Sequence, residues 1–265
     1  MLYFQKDKIK IYNEDCIKFL EKSEKETVDI VVTSPPYNFN KKYNQYNDKI
    51  SEDQYVEWLA DVSLKLKEVL KDNGSYFLNL GFRNNNPLLH YKVAEKISNF
   101  LKLQNTIVWA KSIVVNNEGS GHFIPNNSKK YLNNIFEYVF HFTKDGEKII
   151  DRNSIGVPYK DKRNIERFKN NTNKGDVRCA GNIWFIPHKT IKSKEERKNH
   201  PTSYPEELVR RCVLLNGYDQ NTVVLDPFLG SGTTLRACKK LNINGIGIEI
   251  DESYCEASKF LLNYD

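Results

Sequence analysis

Apolar and polar positions alternate with two different periods in the first part of the chain. Ile9 and Ile11 stand two residues apart and predict a strand that ends near Asp15, where a short helix follows. Val28 to Val32 form a continuous apolar run before a proline pair. A period of two is typical of a half-buried strand, whereas a short unbroken apolar run indicates a strand covered on both faces. The chain therefore opens with two strands joined by a helix.

The same alternation continues to the end of the sequence. A long helix is predicted from the N-cap candidate Ser51 to the stop signal Asn73-Gly74. The later elements are strands in SYFLNLG, QNTIVWAK and IFEYVFHFTK, a helix over 88–101, a helix in YPEELVRRCVLLNG, and strands in NTVVLDP and INGIGIEI around a helix from Leu235 to Leu241. The segments 38–51 and 116–130 have no period and are predicted loops. Strands alternating with helices predict an α/β fold, with a mostly parallel twisted sheet and helices on both faces.

Composition narrows the class of protein. The 265 residues are 39% hydrophobic and 12% aromatic, which is enough for one folded domain with an inserted lobe. No apolar run approaches the roughly 18 residues of a membrane-spanning helix, and the first ten residues lack a signal peptide's apolar stretch. We therefore expect a cytoplasmic protein without membrane partners. The five cysteines form no CxxC pair, which argues against a metal site or disulfide framework.

Positive charge is concentrated in one segment. Residues 145–199 hold 14 Lys and Arg against 8 Asp and Glu, an excess of six that equals the formal net charge of the whole chain, +6. The segment is also rich in Asn and poor in apolar periodicity, so it is predicted to form an irregular polar insertion. A phosphate backbone is the obvious partner for such a surface. Charge alone leaves a solvated lysine-rich surface equally open.

A glycine-containing turn follows a strand near the C-terminal end, in VVLDPFLGSGTT. Asp226 ends the strand, Gly230 and Gly232 lie in the turn, and a helix is predicted to open at Thr233. Glycines allow close approach of a ligand, and a helix N-terminus offers free N–H groups. Glu249 ends the next strand, 23 residues after Asp226, where nucleotide-type folds place an acid on ribose hydroxyls. No Gly-Lys-Ser/Thr follows, so an adenosine cofactor without a phosphate chain fits better than a triphosphate; an unliganded turn is the alternative.

The second informative loop is Ser34-Pro35-Pro36-Tyr37, directly after the buried strand. Two prolines fix φ and remove two N–H donors, so the carbonyls of this loop are predicted to be stiff, outward-facing acceptors. An amine conjugated to an aromatic ring is a poor nucleophile because its lone pair is delocalised. Hydrogen bonds from its two N–H groups to a carbonyl and to the Ser34 hydroxyl would free that pair for attack. Tyr37 is predicted to stack on the aromatic ring that carries this amine. The alternative interpretation of Ser-Pro-Pro-Tyr is a polyproline ligand motif.

These motifs resemble those of the amino-directed DNA methyltransferases, which use S-adenosylmethionine to methylate the exocyclic nitrogens of cytosine or adenine. Residues 33–38 resemble the catalytic motif, written with Ser in the cytosine-N4 branch and more often with Asp or Asn in the adenine-N6 branch. Residues 226–234 are similar to the cofactor loop, and residues 200–209 to the segment beside the methionine part of the cofactor. Residues 181–187 resemble the stretch that commonly precedes that segment. The match covers nearly the whole chain. Its order is the circularly permuted order of the beta group, of restriction-modification type.

The resemblance implies a set of site residues and a division of the chain. The catalytic residues are Ser34, Pro35, Pro36 and Tyr37. The cofactor-binding residues are Asp15, His200, Thr202, Asp226, Pro227, Phe228, Gly230, Ser231, Gly232, Thr233, Thr234 and Glu249, with Asp15 at the adenine end. Residues 1–144 and 200–265 form the Rossmann-like catalytic domain. Residues 145–199 become the inserted target-recognition region, so the charge excess and the DNA-reading region of the family coincide.

Duplex DNA is the expected partner, and the target base must leave the stack before its amine can react. Candidate phosphate contacts are Arg152, Lys160, Lys162, Arg163, Arg167 and Lys169, together with Lys41 and Lys42 in the loop after the catalytic motif, where a solvated loop is the alternative. A companion restriction endonuclease and a homodimer are partners that the resemblance leaves open.

The sequence predicts transfer to cytosine N4, with adenine N6 as the nearest alternative. A cytosine-C5 enzyme is excluded, since it needs a cysteine after a proline and the chain has no Pro-Cys pair. A protein glutamine-amide methyltransferase is the second alternative, but such enzymes usually carry Asn in place of Ser34, and their cofactor loop precedes the proline motif. A silent DNA-binding subunit would need a damaged cofactor loop, which is not evident.

Overall fold

A computed structural model describes residues 1–38, 50–121, 125, 127–168, 175–187 and 204–264. Within these residues the strands are β1 (Leu2–Lys6), β2 (Ile9–Asn13), β3 (Val28–Thr33), β4 (Leu70–Leu80), β5 (Lys102–Ala110), β6 (Ser112–Val115), β7 (Glu118–Gly121), β8 (Phe136–Thr143), β9 (Ile183–Phe185), β10 (Val223–Asp226) and β11 (Asn244–Glu249). The helices are α1 (Cys16–Glu21), α2 (Glu52–Val69), α3 (Leu89–Ile97), α4 (Arg163–Arg167), α5 (Glu206–Asn216), α6 (Thr233–Leu241) and α7 (Glu252–Tyr264).

Nine of these strands form one sheet, in the order β1-β2-β11-β10-β3-β4-β8-β5-β9. The pairs β2–β11, β11–β10, β10–β3, β3–β4 and β5–β9 are parallel, while β1 and β8 run antiparallel to their neighbours. The remaining strands, β6 and β7, form a separate hairpin. The predicted fold class, a mostly parallel α/β sheet, is confirmed.

Helices cover both faces of the sheet because its central strands are apolar on both sides. Ile30 and Val32 of β3 pack in one core cluster with residues of α5, α6 and α7. Val31, between them, points to the other face and packs with residues of α1, α2 and α3. Successive side chains of a strand point to opposite faces, so a continuous apolar run is what a strand in the middle of three layers requires.

The carboxyl ends of five parallel strands lie along one edge of the sheet. Asn13 of β2 is in register with Glu249 of β11, and Gly247 of the same strand with Asp226 of β10. Val31 of β3 pairs with Leu225, which brings the residues after β3 beside those after β10. Ligands of open α/β sheets bind at this edge. The fold thereby gathers the two predicted loops and the acid after β2 in one place.

Several elements differ from the sequence expectations. The long helix ends at Val69 instead of Asn73-Gly74, because Leu70 already pairs with Val28 of β3 as the first residue of β4. Part of the predicted loop 116–130 forms β7 of the hairpin. Ile183–Phe185, inside the predicted insertion, forms β9 at the edge of the main sheet. The boundaries 145–199 stay a prediction. Among the described helices, none combines the length and the apolar character needed to cross a bilayer.

Candidate active site

The loops after β3 and β10 are joined by a direct hydrogen bond. The Thr33 hydroxyl donates to Asp226 Oδ1 at 2.6 Å, across 193 residues of sequence. Both side chains are buried, with 0% and 1% of their surface exposed. A hydrogen bond from a neutral donor to a buried carboxylate is among the stronger ones in proteins. The catalytic motif and the cofactor loop of the sequence analysis therefore lie side by side at the carboxyl edge of the sheet.

Asp226 collects donors from three parts of the chain. Besides Thr33, the backbone N–H of Phe228 reaches Oδ1 at 3.1 Å, and the hydroxyls of Tyr204 and Thr234 reach Oδ2 at 2.9 and 2.6 Å. Burial raises the pKa of Asp226, although these four hydrogen bonds act in the opposite direction. In this structure the Asp226 carboxylate holds the loops together, and its oxygens are directed to the protein itself.

The glycine turn is shaped by backbone conformations that side chains disfavour. Gly230 and Gly232 have φ of +53° and +84°, and Gly232 is the N-cap of α6. A Cβ on Gly232 would lie 2.9 Å from Ser258 Oγ, and this hydroxyl donates to the Gly230 carbonyl at 2.7 Å. The turn is thus held against α7 at a distance that only glycine permits.

Glu249 also binds this turn. Its Oε2 accepts the N–H of Gly230 at 2.8 Å, and its Oε1 accepts the N–H of Asp251 at 2.9 Å. Burial is the main cause that raises the pKa of Glu249, and the neighbouring charges of Asp251 and Asp226 raise it further. Asp15, after β2, is the N-cap of α1 and accepts the N–H of Lys18 at 3.1 Å. Glu249 therefore binds the turn directly, while Asp15 follows the neighbouring strand β2.

The other predicted residues of the cofactor loop line the same region. Pro227 and Thr233 are buried, and the Phe228 ring packs 5.4 Å from the ring of Trp58. Ser231 is 4% exposed, and its hydroxyl has no hydrogen-bond partner among the described residues. A buried hydroxyl without a partner costs about 1–3 kcal/mol. A polar ligand at the glycine turn would satisfy this hydroxyl.

The catalytic motif is held by hydrogen bonds on the other side. The Ser34 Oγ lies 2.6 Å from the Tyr37 hydroxyl, which donates to Glu137 Oε2 at 2.9 Å. The amide of Asn79 contacts the Tyr37 oxygen and Glu137 Oε2, each at 2.7 Å. Lys111 donates to Glu137 Oε1. Ser34 is thus the outer member of a hydrogen-bond network on β4 and β8.

One expectation for this loop differs from what the structure shows. The Pro36 carbonyl does not face outward, because it accepts the Tyr55 hydroxyl at 2.8 Å. The Tyr37 ring is half-buried and lies so close to Gly81 that a Cβ there would be 2.7 Å from it. The Tyr37 hydroxyl is held by the network, so the stacking role remains a prediction.

Three of the predicted phosphate contacts, Arg152, Lys160 and Lys162, line an open cleft of about 950 Å³ in the basic segment. Tyr159 and Arg178 line it as well. Two of the predicted cations form ion pairs with acids of the same segment: Lys162 pairs with Asp176, and Arg163 pairs with Asp161 at 2.8 Å. The Arg167 guanidinium lies over the Phe168 ring at 5.3 Å. The positive charge of the segment is therefore partly neutralised by its own acids.

Some predicted residues lie outside the described part of the chain, namely Lys41, Lys42, Lys169, His200 and Thr202. Sequence reasoning, in turn, missed four residues that the structure places at the site, namely Asn79, Lys111, Glu137 and Tyr204. Tyr204 stands in the motif around residue 200, so the resemblance could have found it. The other three follow no motif of their own.

Comparison with known proteins gives the family. The model of a DNA methylase family acting on N6 and N4 positions matches residues 28–260. The Type II methyltransferase M.BglII of Bacillus subtilis is 32% identical over 265 residues, which cover 96% of this chain and 69% of that protein. The DNA adenine methyltransferase YhdJ of Escherichia coli (strain K12) is 27% identical over 249 residues, which cover 92% of this chain and 79% of that protein.

A solved structure supports the same fold. The PvuII DNA methyltransferase, described as cytosine-N4-specific, superimposes with a TM-score of 0.72 at 18% identity, over 96% of this chain and 86% of that one. The sheet at whose edge Thr33 meets Asp226 thus has the same fold as that protein. The chain belongs to the N6/N4 DNA methylase family, the S-adenosylmethionine-dependent amino-directed DNA methyltransferases of restriction-modification type.

Proposed function

We propose that this enzyme transfers a methyl group to N4 of cytosine in duplex DNA. The observation that carries the proposal is the neutral hydroxyl of Ser34, at the head of a diproline loop whose preceding residue, Thr33, is bonded to the cofactor loop at 2.6 Å. The family motif carries Ser there more often in cytosine-N4 enzymes. S-adenosylmethionine supplies an electrophilic methyl group on a sulfonium, so the protein has to position and polarise the amine.

The region around the glycine turn fits a cationic cofactor. Burial raises the pKa of Glu249, and the nearby negative charges of Asp251 and Asp226 raise it further. A sulfonium and an α-ammonium group would relieve that repulsion. The partnerless hydroxyl of Ser231 would gain a polar contact. Glu249 and Asp15 remain the proposed acids for the ribose and adenine ends, and the described part of the turn would hold the rest.

Ser34 would act on the amine by accepting one of its N–H groups. This hydrogen bond draws the nitrogen out of conjugation with the ring and exposes its lone pair. The proline pair keeps the loop stiff, and the Tyr55 hydroxyl ties the Pro36 carbonyl to α2 at 2.8 Å. A loop held from both sides costs little reorganisation when the base arrives.

DNA would be held by the basic segment while the target base is extruded. Arg152, Lys160 and Arg178 line the cleft and are suited to phosphate oxygens. Unstacking a base costs a few kcal/mol, which contacts in the pocket must offset. Phosphate contacts fix the position of the duplex without reading its sequence, so they leave the recognition sequence open.

Adenine N6 is the second candidate, and the name of the YhdJ relative favours it. The test is to incubate the full chain with methyl-labelled S-adenosylmethionine and enzymatically amplified, unmethylated DNA, and then to separate the nucleosides. We expect label in N4-methyldeoxycytidine. Label confined to N6-methyldeoxyadenosine would overturn the choice of base, and no label in DNA would contradict the proposed substrate.

The role of Ser34 has its own test. Ser34→Ala should lower kcat by roughly 10²-fold or more, as expected when one preorganised polar contact to the reacting group is removed. Binding of the cofactor, measured by calorimetry, should change little, because the Ala variant leaves Thr33 and its bond to Asp226 in place. Unchanged turnover would remove Ser34 from the catalytic residues.

A further inference from the structure

We propose that Glu137 and Lys111 are positioning residues that set the hydrogen-bond polarity of Ser34, so that its oxygen faces the target amine as an acceptor. This inference rests on the proposed role of Ser34. Glu137 lies 100 positions after Tyr37 in the sequence and two strands from β3 in the sheet, yet it accepts the Tyr37 hydroxyl. The polarity follows from the number of hydrogens available along the network.

The count begins at Glu137, which in its ionised form has no hydrogen to donate. Its Oε1 accepts from Lys111, and its Oε2 accepts from the Asn79 amide at 2.7 Å and from the Tyr37 hydroxyl at 2.9 Å. Every contact of this carboxylate is therefore a donor pointing at it. The Tyr37 hydroxyl has only one hydrogen, and it is committed to Glu137.

The next contact then has only one possible direction. The Ser34 Oγ and the Tyr37 oxygen lie 2.6 Å apart, a distance at which either could donate. Because Tyr37 has no hydrogen left, Ser34 must be the donor. The Asn79 amide also points at the Tyr37 oxygen, at 2.7 Å, which favours the same arrangement. With its hydrogen directed inward, Ser34 presents only lone pairs on its outer side.

Lys111 keeps Glu137 in the charged form that this count requires. Only 18% of the lysine side chain and 14% of the glutamate side chain are exposed. Burial alone would raise the pKa of Glu137, but the charge of Lys111 and the hydrogen bonds from Lys111, Asn79 and Tyr37 lower it below its ordinary value. The Lys111 ammonium also lies 5.1 Å from the centre of the Trp109 ring, which fixes its position. The carboxylate is thus ionised at neutral pH.

A reversed polarity would work against the reaction. If Tyr37 donated to Ser34, the Ser34 hydrogen would point outward, at the N–H groups of the amine. Two donors would then face each other, and the amine would lose the acceptor that draws out its lone pair. The direction of one hydroxyl hydrogen therefore separates a site that polarises the amine from one that opposes it.

The first test is Glu137→Gln, which keeps the shape of the side chain. Lys111 needs an oxygen opposite it, so the amide NH₂ is placed towards Tyr37 and donates to it, and Tyr37 then donates to Ser34. We expect kcat to fall roughly 10²-fold, while KM for DNA and the Kd for S-adenosylmethionine stay within about threefold. The matched control is Glu52→Gln, since Glu52 also accepts from a lysine and an asparagine, Lys92 and Asn86. The control should keep its kcat.

The second test is Lys111→Met, read from the pH profile of kcat. Removing the ammonium takes away the charge that lowers the pKa of Glu137, so that pKa rises. The network needs the ionised form, which is present above the pKa, and so the acid limb of the profile should move to higher pH by about one unit or more. A merely structural role of Lys111 would lower activity equally at all pH values.

The outcomes separate the two proposals. If Ser34→Ala keeps its turnover, the role of Ser34 fails, and this inference fails with it. If Ser34→Ala loses turnover but Glu137→Gln keeps kcat within threefold, only the inference is overturned. If Glu137→Gln does not fold, as judged by circular dichroism and cofactor binding, the Lys111→Met profile decides: a shifted acid limb supports the inference, and an unshifted one overturns it.

Discussion

Replacing Asp226 tests whether one carboxylate holds the two loops together. The structure directs four donors at it, and these donors differ in their freedom to adapt. In Asp226→Asn, the amide oxygen can stay at the Oδ1 position, where the Phe228 N–H cannot turn away. The NH₂ group then faces Tyr204 and Thr234, whose hydroxyls can rotate and accept. Asp226→Ala removes both acceptor positions at once.

The size of the effect follows from the donors left without a partner. After Asp226→Ala, the hydroxyls of Tyr204 and Thr234 lie 2.5 Å apart and can bond to each other. The Phe228 N–H and the Thr33 hydroxyl remain unsatisfied, at about 1–3 kcal/mol each. Removing a buried charge offsets part of this cost, because burial raises the pKa of Asp226. We therefore expect a loss of about 3 kcal/mol for Ala and about 1 kcal/mol for Asn.

Urea unfolding of the full chain, followed by far-UV circular dichroism, measures both variants on one scale. The urea midpoints should fall in the order wild type, Asn, Ala, with similar slopes. The contribution of the Tyr204 hydrogen bond can be measured separately with Tyr204→Phe, which removes one donor and leaves the carboxylate. An Asn variant that is as unstable as the Ala variant, or less stable, would refute the hydrogen-bond assignment.

The same substitution has a pH signature. Because the folded pKa of Asp226 is raised, the native state binds this proton more tightly than the unfolded chain does. The stability contributed by that proton is fully present below the ordinary pKa and is lost as pH rises through the folded pKa. The difference in unfolding free energy between wild type and Asp226→Asn should therefore become less favourable to wild type as pH rises above the ordinary carboxyl pKa and through the raised pKa of the folded state. A difference that does not change with pH would contradict the raised pKa.

Two further predictions concern the glycine turn and the basic cleft. Gly232→Ala should lower the free energy of unfolding in urea by about 1–2 kcal/mol and weaken cofactor binding in calorimetry, because φ is +84° and the new Cβ would lie 2.9 Å from Ser258 Oγ. The control is Gly119→Ala, where a Cβ meets nothing within 4 Å. Equal losses in the two variants would contradict a strain specific to Gly232. Lys160→Ala should weaken binding to all DNA duplexes alike and reduce the slope of log affinity against log salt by about one. The control is Lys25→Ala, which removes a lysine from an exposed ion pair with Glu68. An unchanged slope in Lys160→Ala would contradict a phosphate contact.

The elements that sequence reasoning predicted well are those with a local signal. Ser51 caps α2 with a capping box to Gln54, and both ends of that bond lie within four residues. The C-terminal end of α2 was placed too late, because Leu70 leaves the helix to pair with Val28, a contact 42 residues away. The short strand Ile183–Phe185 was missed for the same reason: it is a strand only because β5 lies beside it.

The candidate site divides in a similar way. The two loops could be predicted because each has a compact motif after an apolar strand, and their meeting follows from the parallel pairing of β3 with β10. The role of Glu137 could not be predicted in this way, since it lies in a strand whose sequence contains no functional motif. Its importance comes from the antiparallel pairing of β4 with β8, which places it within reach of Asn79 and Tyr37. Strand pairing, more than residue type, decides which acid serves this site.

This division has a consequence for judging related chains. A motif reports which groups can touch the amine, but the direction of the Ser34 hydrogen depends on the charge of a carboxylate two hydrogen bonds away. A related chain that keeps Ser-Pro-Pro-Tyr but lacks the acid on β8 would have the catalytic motif, but its serine hydroxyl would not be held as an acceptor for the amine. Such a chain should bind the cofactor and DNA while turning over slowly, because neither binding surface depends on which way one hydroxyl points.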